Sequence, residues 1–198
     1  MAFVLREQGY DFLQKNRVRV TTVVVVFLLL KNSIVGISPN GITDHVDFFG
    51  LLGWFMVVAG VGLRSWAAGI IRKDEALATS GPYTLSRHPL YVGSLLMALG
   101  FCLLIGDRLT FFLILGFAIV LYGPTIHNEE VALRQVFGVE WERYTARTAI
   151  LYPKVWPRDI RAGWSFAMWQ RNREYRAMSA SLIGLLLLEA LHRHFWPG

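Results

Sequence analysis

The sequence predicts an all-α fold, a multi-span transmembrane helical bundle of four to five spans, and three observations carry that prediction. First, apolar residues make up 54% of the 198-residue chain and charged residues only 17%, with a mean hydropathy of +0.41, against about 25% charge in a typical soluble domain. Second, the apolar residues come in blocks. Between Phe48 and Gly106, and again over 109–126, runs of 16 to 18 residues contain no Asp, Glu, Lys or Arg, the length that crosses a hydrocarbon core. Third, the 20 Lys and Arg residues alternate along the chain. Four precede the first apolar stretch (Arg6, Lys15, Arg17, Arg19), three lie between the second and third (Arg72, Lys73, Arg87), and nine follow the fourth, from Arg134 to Arg176. The loops at 38–47 and 106–108 share only Arg108. This is the positive-inside pattern, and it puts the N-terminus and the long later segment in the cytoplasm.

The net charge of +6 and pI near 9.8 therefore read as topology and lipid-headgroup contact, not as nucleic-acid binding. Disorder, a coiled coil and most soluble α/β enzymes are excluded by the same composition. The single cysteine, Cys102, lies mid-span, which rules out an intrachain disulfide.

Taken in order, residues 2–19 mix polar and aromatic side chains and read as a surface helix. The first span covers about 20–37, interrupted by Lys31 and Asn32. It reads as a retained anchor, because its charged leader is long for a signal peptide and no A-x-A site follows. The second span is 48–71, with Arg64 near its cytoplasmic end in a position to snorkel outward. The third and fourth, 89–106 and 109–126, are 18 residues each, about 27 Å of helix. Over 159–176, Ile160, Trp164 and Met168 fall at i, i+4 and i+8, the pattern of an interfacial helix among four arginines. A last apolar stretch, 177–191, is interrupted by Glu189 and reads as a short fifth span or as a helix lying on the membrane. The division is thus a membrane core over 1–153 and a C-terminal tail over 154–198.

Only Asp107 and Arg108 separate the third and fourth spans, so these form an antiparallel hairpin whose free ends meet again at the cytoplasmic face, roughly 8–10 Å apart between axes. One end carries Ser86-Arg87-His88-Pro89-Leu90-Tyr91 and the other His127-Asn128-Glu129-Glu130. Pro89 suits the opening turn of a helix and pushes His88 into an extended conformation. The free N–H groups over 90–92 and the helix dipole then offer a seat for a carboxylate. Gly81-Pro82-Tyr83 reads as a turn folding 77–86 over the same place. Glu129 and Glu130 point about 100° apart, so one can hold an ammonium group while the other pairs with Arg87 or, at i+4, with Arg134. A metal reading of His127, Glu129 and Glu130 lacks a second well-placed His or Cys, and no metal is expected. An anion seat, an acidic pair and aromatics together fit a zwitterionic ligand.

Ser80-Gly81-Pro82-Tyr83, then Arg87-His88-Pro89-Leu90-Tyr91, a hydrophobic hairpin and Glu129-Glu130 resemble the signature of the isoprenylcysteine carboxyl methyltransferase and phospholipid N-methyltransferase superfamily of membrane enzymes. Leu133, Phe137-Gly138, Tyr144 and Pro153 extend the resemblance, which covers about 77–153. It implies S-adenosylmethionine as cofactor, bound at the cytoplasmic end of the bundle, and a lipophilic acceptor arriving from the bilayer. By position it implies that His88, Tyr91, Glu129 and Glu130 contact the amino-acid part of the cofactor and that Leu77, Gly81 and Tyr83 border its adenosine. Arg87, Tyr144 and Arg147 are implied to orient the acceptor, with Arg87, Glu130 and Arg147 as the catalytic set. Beyond Pro153 the tail has no counterpart in the family pattern.

The chemistry agrees. Methyl transfer from a sulfonium needs a collinear arrangement, so positioning and water exclusion do most of the work. A carboxylate acceptor needs a cationic orienter such as Arg87 or Arg147, and an amine needs a base such as Glu129 or Glu130. The sequence supplies both and leaves carboxylate, amine and thiol acceptors open. Two other classes are set against this one. An NADPH-dependent membrane reductase of a sterol- or enone-like lipid shares an H-P-x-Y-like element, but the acidic pair repels a phosphorylated cofactor. A non-catalytic membrane scaffold predicts no ligand at His88 or Glu130 at all.

Overall fold

A computed structural model describes residues 31, 34, 39–40, 47–72, 76–153 and 163–195. Among these there is no strand. The helices are α1 (Phe48–Ala68), α2 (Pro89–Ile105), α3 (Arg108–Arg147), α4 (Phe166–Arg171) and α5 (Tyr175–Phe195), with a 3₁₀ turn at Gly81–Thr84. The surface helix expected over 2–19 lies outside the described residues. So does the first span over 20–37, apart from Lys31 and Ile34, which are helical.

The Asp47 carboxylate starts α1 by accepting the Gly50 N–H at 3.4 Å. α1 and α2 then pack antiparallel along a glycine seam, in which Gly53 faces Gly100 and Gly60 faces Gly93. A Cβ at Gly60 or Gly100 meets the opposing carbonyl oxygen at 2.6 Å, so the two backbones are in contact. That closeness is how membrane helices gain van der Waals packing without a hydrophobic drive between them. α2 ends on Gly106 in the left-handed region, φ +72, which needs no Cβ. Asp107 then caps α3 by accepting the Thr110 N–H at 3.0 Å and pairs with Lys31 at 2.7 Å. Burial raises the Asp107 carboxyl, but the bonds from Lys31 and Thr110 outweigh it and hold the group at about 2.

α5 packs against this pair through its middle turns, where Gly184 faces Phe101. Glu174, just before it, meets Arg64 at one end of the bundle. At the other end the His192 Nδ1–H donates to the Pro39 carbonyl at 2.7 Å. Between them Leu185 and Leu188 join Val57, Leu104 and Ile105 in the core. The stretch 177–191 is therefore part of a longer helix packed along the bundle. The outward faces carry large apolar side chains, including Phe55 and Val58 on α1, Phe112 and Ile119 on α3, and Ile183 and Leu186 on α5. A coat of that kind needs an apolar solvent. Among the described residues α1 and α3 are long and apolar enough to cross a membrane, and α2, at 17 residues, is a shorter apolar helix. The molecule is a helical membrane bundle.

The helix of the fourth span runs on beyond Ile126, as the helical spacing of Glu129, Glu130 and Arg134 requires. It continues through Phe137, because 127–137 offers Glu, Ala, Leu, Arg and Gln and no breaker, and it resumes beyond a break to reach Arg147. The break comes at Gly138, with φ 47 and ψ −117. Two expectations are corrected. The interfacial helix expected over 159–176 is, where described, only Phe166–Arg171. Residues before it turn their polar groups to the end of α1: Trp164 Nε1–H donates to the Ser65 carbonyl and Ser165 N–H to the Gly69 carbonyl. Arg173, at φ 55, then separates α4 from α5. Arg64 does not snorkel outward, because a buried carboxylate, Glu174, offers its guanidinium a two-pronged partner at 2.7 and 2.9 Å.

Candidate functional site

The two free ends of the α2–α3 hairpin meet, as the short link requires. His88, only 3% exposed, is the N-cap residue of α2, and Pro89 holds it outside the helical region at φ −127 and ψ 57. Its Nε2 lies 3.2 Å from Glu130 Oε1, and the same oxygen lies 3.2 Å from Arg87 Nε. The Arg87 contact is an ion pair without a hydrogen bond, since this buried Nε–H has no aligned acceptor. Glu129 stands on the other side of the ring, 4.0 Å from Nδ1, too far for a hydrogen bond.

Burial pushes the His88 imidazole below its ordinary value of 6.5; Glu129 and Glu130 pull it back up, and Arg87 adds to the lowering. The ring is thus neutral at pH 7. A carboxylate only accepts, so Nε2 carries the proton and donates to Glu130, which leaves Nδ1 with a lone pair. That lone pair and the half-exposed Glu129 carboxylate face each other as two acceptors with no donor between them.

The supports of this cluster are long-range. The 3₁₀ turn opens at Gly81, φ +60, a value glycine adopts without strain. Arg87 N–H donates to the Ala149 carbonyl at 2.9 Å, Ser86 Oγ–H to the Ile150 carbonyl at 2.7 Å, and Tyr144 O–H to the Tyr83 carbonyl at 2.7 Å. The segment beyond the Gly138 break thereby clamps the turn. Trp141 lies beneath Arg87, whose guanidinium carbon is 5.7 Å from the ring centre, a cation–π distance. A cleft of about 340 Å³ occupies the elbow of α3, lined by His127, Glu130, Val131 and Arg134 before the break, Trp141, Glu142 and Thr145 after it, and Arg87. That volume falls in the usual range for a small-molecule site, about 300–1,000 Å³.

Of the sequence-predicted residues, Arg87, His88, Glu129 and Glu130 come together. Tyr91 joins them through its ring, 5.7 Å from His88 and 5.4 Å from Tyr122. Tyr83 is buried, and its hydroxyl has no hydrogen-bond partner among the described residues. Burial, then Tyr144 and Glu129, raise its phenol far above the usual range, with Arg64 opposing and Glu174 adding to the rise. Tyr144 is buried with its proton committed to the Tyr83 carbonyl, so its visible work is to hold the turn. Leu77 is half-buried and Arg147 exposed at the end of α3, and neither lines the cleft.

One detail differs from expectation. The Tyr91 and Val92 N–H groups are not free, since both donate to the His88 carbonyl at 3.0 and 3.1 Å. Of the two partners expected for the acidic pair, Glu130 takes Arg87, and Arg134 pairs with Glu142 across the helix break at 3.1 Å. No signal in the sequence marks Trp141, Glu142 and Thr145 as cleft walls, because only the Gly138 break turns that face inward, nor Arg134 ahead of it.

The pattern of the phospholipid methyltransferase family matches residues 47–140, which takes in α1, the turn and α3 through the break. The chain is 35% identical over 150 residues to the cobalt-zinc-cadmium resistance protein CzcN of Cupriavidus metallidurans, covering 73% of this chain and 67% of that one. It is 38% identical over 92 residues to protein-S-isoprenylcysteine O-methyltransferase of Schizosaccharomyces pombe, covering 45% and 38%. Against 7-dehydrocholesterol reductase of Danio rerio it is 38% identical over 82 residues, 40% of this chain and 17% of that one. No solved structure matches the chain.

Proposed function

The chain belongs to the superfamily of integral membrane methyltransferases that includes the isoprenylcysteine carboxyl and phospholipid enzymes, and from that premise we propose that it transfers a methyl group from S-adenosylmethionine to a lipophilic, membrane-partitioned acceptor. The observation that carries this reading is the unfilled pair of acceptors, His88 Nδ1 and Glu129, beside a buried Arg87 Nε–H that lacks a hydrogen-bond partner. Together they suit the ammonium and carboxylate of an amino-acid moiety. Glu130 holds His88 and Arg87 in register. Tyr91 walls the same side, and the buried Tyr83 hydroxyl is a donor for the nucleoside part, which Gly81 and Leu77 would border. The cofactor supplies an electrophilic methyl group already activated by its sulfonium.

The chain's own residues then position the acceptor in the cleft, with the Arg87 guanidinium steadied on Trp141 and presented to an acidic acceptor; Arg147 is the more distant candidate for the same task. For an amine acceptor the base is Glu129 or Glu130. Acceptor class therefore stays within carboxylate, amine and thiol. The basic residues flanking the site end favour the cytoplasmic face, with the N-terminus on the same side. No nucleic acid and no metal enter the reading, and the partners are membrane lipids and the lipophilic substrate.

Calorimetric titration of the detergent-purified protein with S-adenosylhomocysteine, with NADPH in parallel, tests it. Micromolar binding of the first and none of the second is expected. The NADPH arm addresses the reductase, whose similarity spans only 17% of that protein; NADPH binding alone reverses the assignment, and no binding of either by folded protein favours a scaffold.

The same titration carries a pH prediction. His88 is held below 6.5, so its contribution to folding is complete above 6.5 and declines as pH falls through the folded-state value. Protonation also turns Nδ1 into a donor aimed at Glu129, which removes the ammonium seat. Affinity for S-adenosylhomocysteine is expected to be level from pH 7 to 8 and to fall on acidification below 6.5. A profile that already falls between pH 8 and pH 7 contradicts the neutral-His88 arrangement.

A further inference from the structure

Outside the cleft, a heavily bonded charged cluster joins α1, α2 and the C-terminal tail, and no part of the methyltransferase signature accounts for it. The Glu174 carboxylate, with 5% of its side chain exposed, accepts from Arg64 Nε and one terminal nitrogen at 2.7 and 2.9 Å. The other terminal nitrogen donates to Ser94 Oγ at 2.5 Å and to the Leu90 carbonyl at 3.3 Å. Ser94 also donates to the Leu90 carbonyl. Leu90 lies two residues after His88, in the first turn of α2. The tail that carries Glu174 is itself fastened to the end of α1: Asn172 donates to the Ala68 and Ile71 carbonyls, and Trp164 and Ser165 to Ser65 and Gly69. Arg64 and Glu174 both act electrostatically on the Tyr83 hydroxyl, so the cluster backs onto the proposed cofactor site.

We propose that Glu174 is a positioning residue for the methyl-transfer site, fixing the first turn of α2 through Arg64 so that His88 faces Glu129 and Glu130. The proposal rests on the methyltransferase reading above. A planar guanidinium suits this task, because one prong set grips the carboxylate while the remaining nitrogen reaches two acceptors on α2. Removing Glu174 leaves a buried cation whose strongest partner is gone. Arg64 then turns toward water, so Ser94 Oγ loses its guanidinium donor and the Leu90 carbonyl keeps only the Ser94 hydroxyl from outside the helix ladder.

The test uses the full chain in detergent with three variants: Glu174→Gln, Arg64→Lys, and the double replacement Arg64→Met with Glu174→Met. Apolar replacement of both partners removes the uncompensated charge and returns thermal stability, but it does not return the bonds to Leu90 and Ser94. Two readouts are taken. Hydrogen exchange at the Tyr91 and Val92 amides, which bond to the His88 carbonyl, reports the first turn of α2 without any ligand. S-adenosylhomocysteine titration reports the site. All three variants are expected to exchange these two amides at least about tenfold faster and to bind about tenfold or more weakly, and the double variant is expected to do so at wild-type thermal stability. Unchanged exchange overturns the proposal whatever the ligand does. Affinity that returns with stability in the double variant makes the pair structural only and likewise overturns it. A wild-type protein that exchanges as described but binds no S-adenosylhomocysteine overturns the methyltransferase reading first, and the role of Glu174 with it.

Discussion

Glu130→Gln is expected to weaken S-adenosylhomocysteine binding by about a hundredfold or more, roughly 3 kcal/mol, while the protein still inserts and folds. One carboxylate oxygen of Glu130 serves two partners at 3.2 Å, Arg87 and His88. The amide keeps the shape but loses the charge, leaving Arg87, 12% exposed, over Trp141 without its counter-ion. An amide N–H turned toward His88 also selects the opposite tautomer, with the proton on Nδ1 pointing at Glu129. The ammonium seat closes from within. Charge-assisted hydrogen bonds contribute about 1.5–3 kcal/mol each, so loss of one to two accounts for the magnitude. His88→Ala and Glu130→Ala are expected to abolish binding. Arg193→Gln, at the opposite end of α5, serves as the control and is expected to bind within about twofold of wild type. Calorimetry with a size-exclusion check decides it. Normal affinity in both His88→Ala and Glu130→Ala rejects the site.

Gly138→Ala is expected to reduce methylation to near background and to lower the thermal midpoint. A Cβ at Gly138 meets nothing within 4 Å, so crowding is not the cause. The cause is the backbone: φ 47 with ψ −117 is ground that residues with a Cβ avoid, at about 1–3 kcal/mol of strain. Relief comes by straightening α3 into one helix, and that swings the last turns away from the 3₁₀ turn. Trp141 then leaves Arg87, Tyr144 leaves the Tyr83 carbonyl, and the cleft opens. Gly116→Ala gives the contrast. That glycine also has open space for a Cβ but sits in regular helix, where alanine is favoured by about 0.5–1 kcal/mol. Activity at wild-type level in Gly138→Ala, matching Gly116→Ala, shows that the elbow does not shape the site.

Much of this arrangement was legible in the residues. The apolar blocks placed the helices, and two residues between 18-residue runs were enough to bring His88 to Glu130. The Gly81-Pro82-Tyr83 turn was legible because glycine and proline restrict the backbone locally. What escaped was everything dependent on partners distant in the chain. Arg64 looked like a snorkelling cation because no local signal announces a carboxylate 110 residues away. The segment over 159–176 looked like one amphipathic helix because periodicity records side-chain faces, not the carbonyls at the end of α1 that draw Trp164 and Ser165 out of helix. The free amides over 90–92 were misread because the His88 carbonyl takes two of them.

The sequence by itself determined the solvent this protein folds in, the helical class, and the hairpin that joins its histidine to its acidic pair. These follow from composition, helix length and chain connectivity, all of which act locally or through short links. Tertiary structure alone decided the tautomer and charge of His88, the clamp of 141–150 on the turn, and the route of the tail back to Arg64. Burial and long-range hydrogen bonds set those properties, and both come into being only when segments far apart in the chain are packed together.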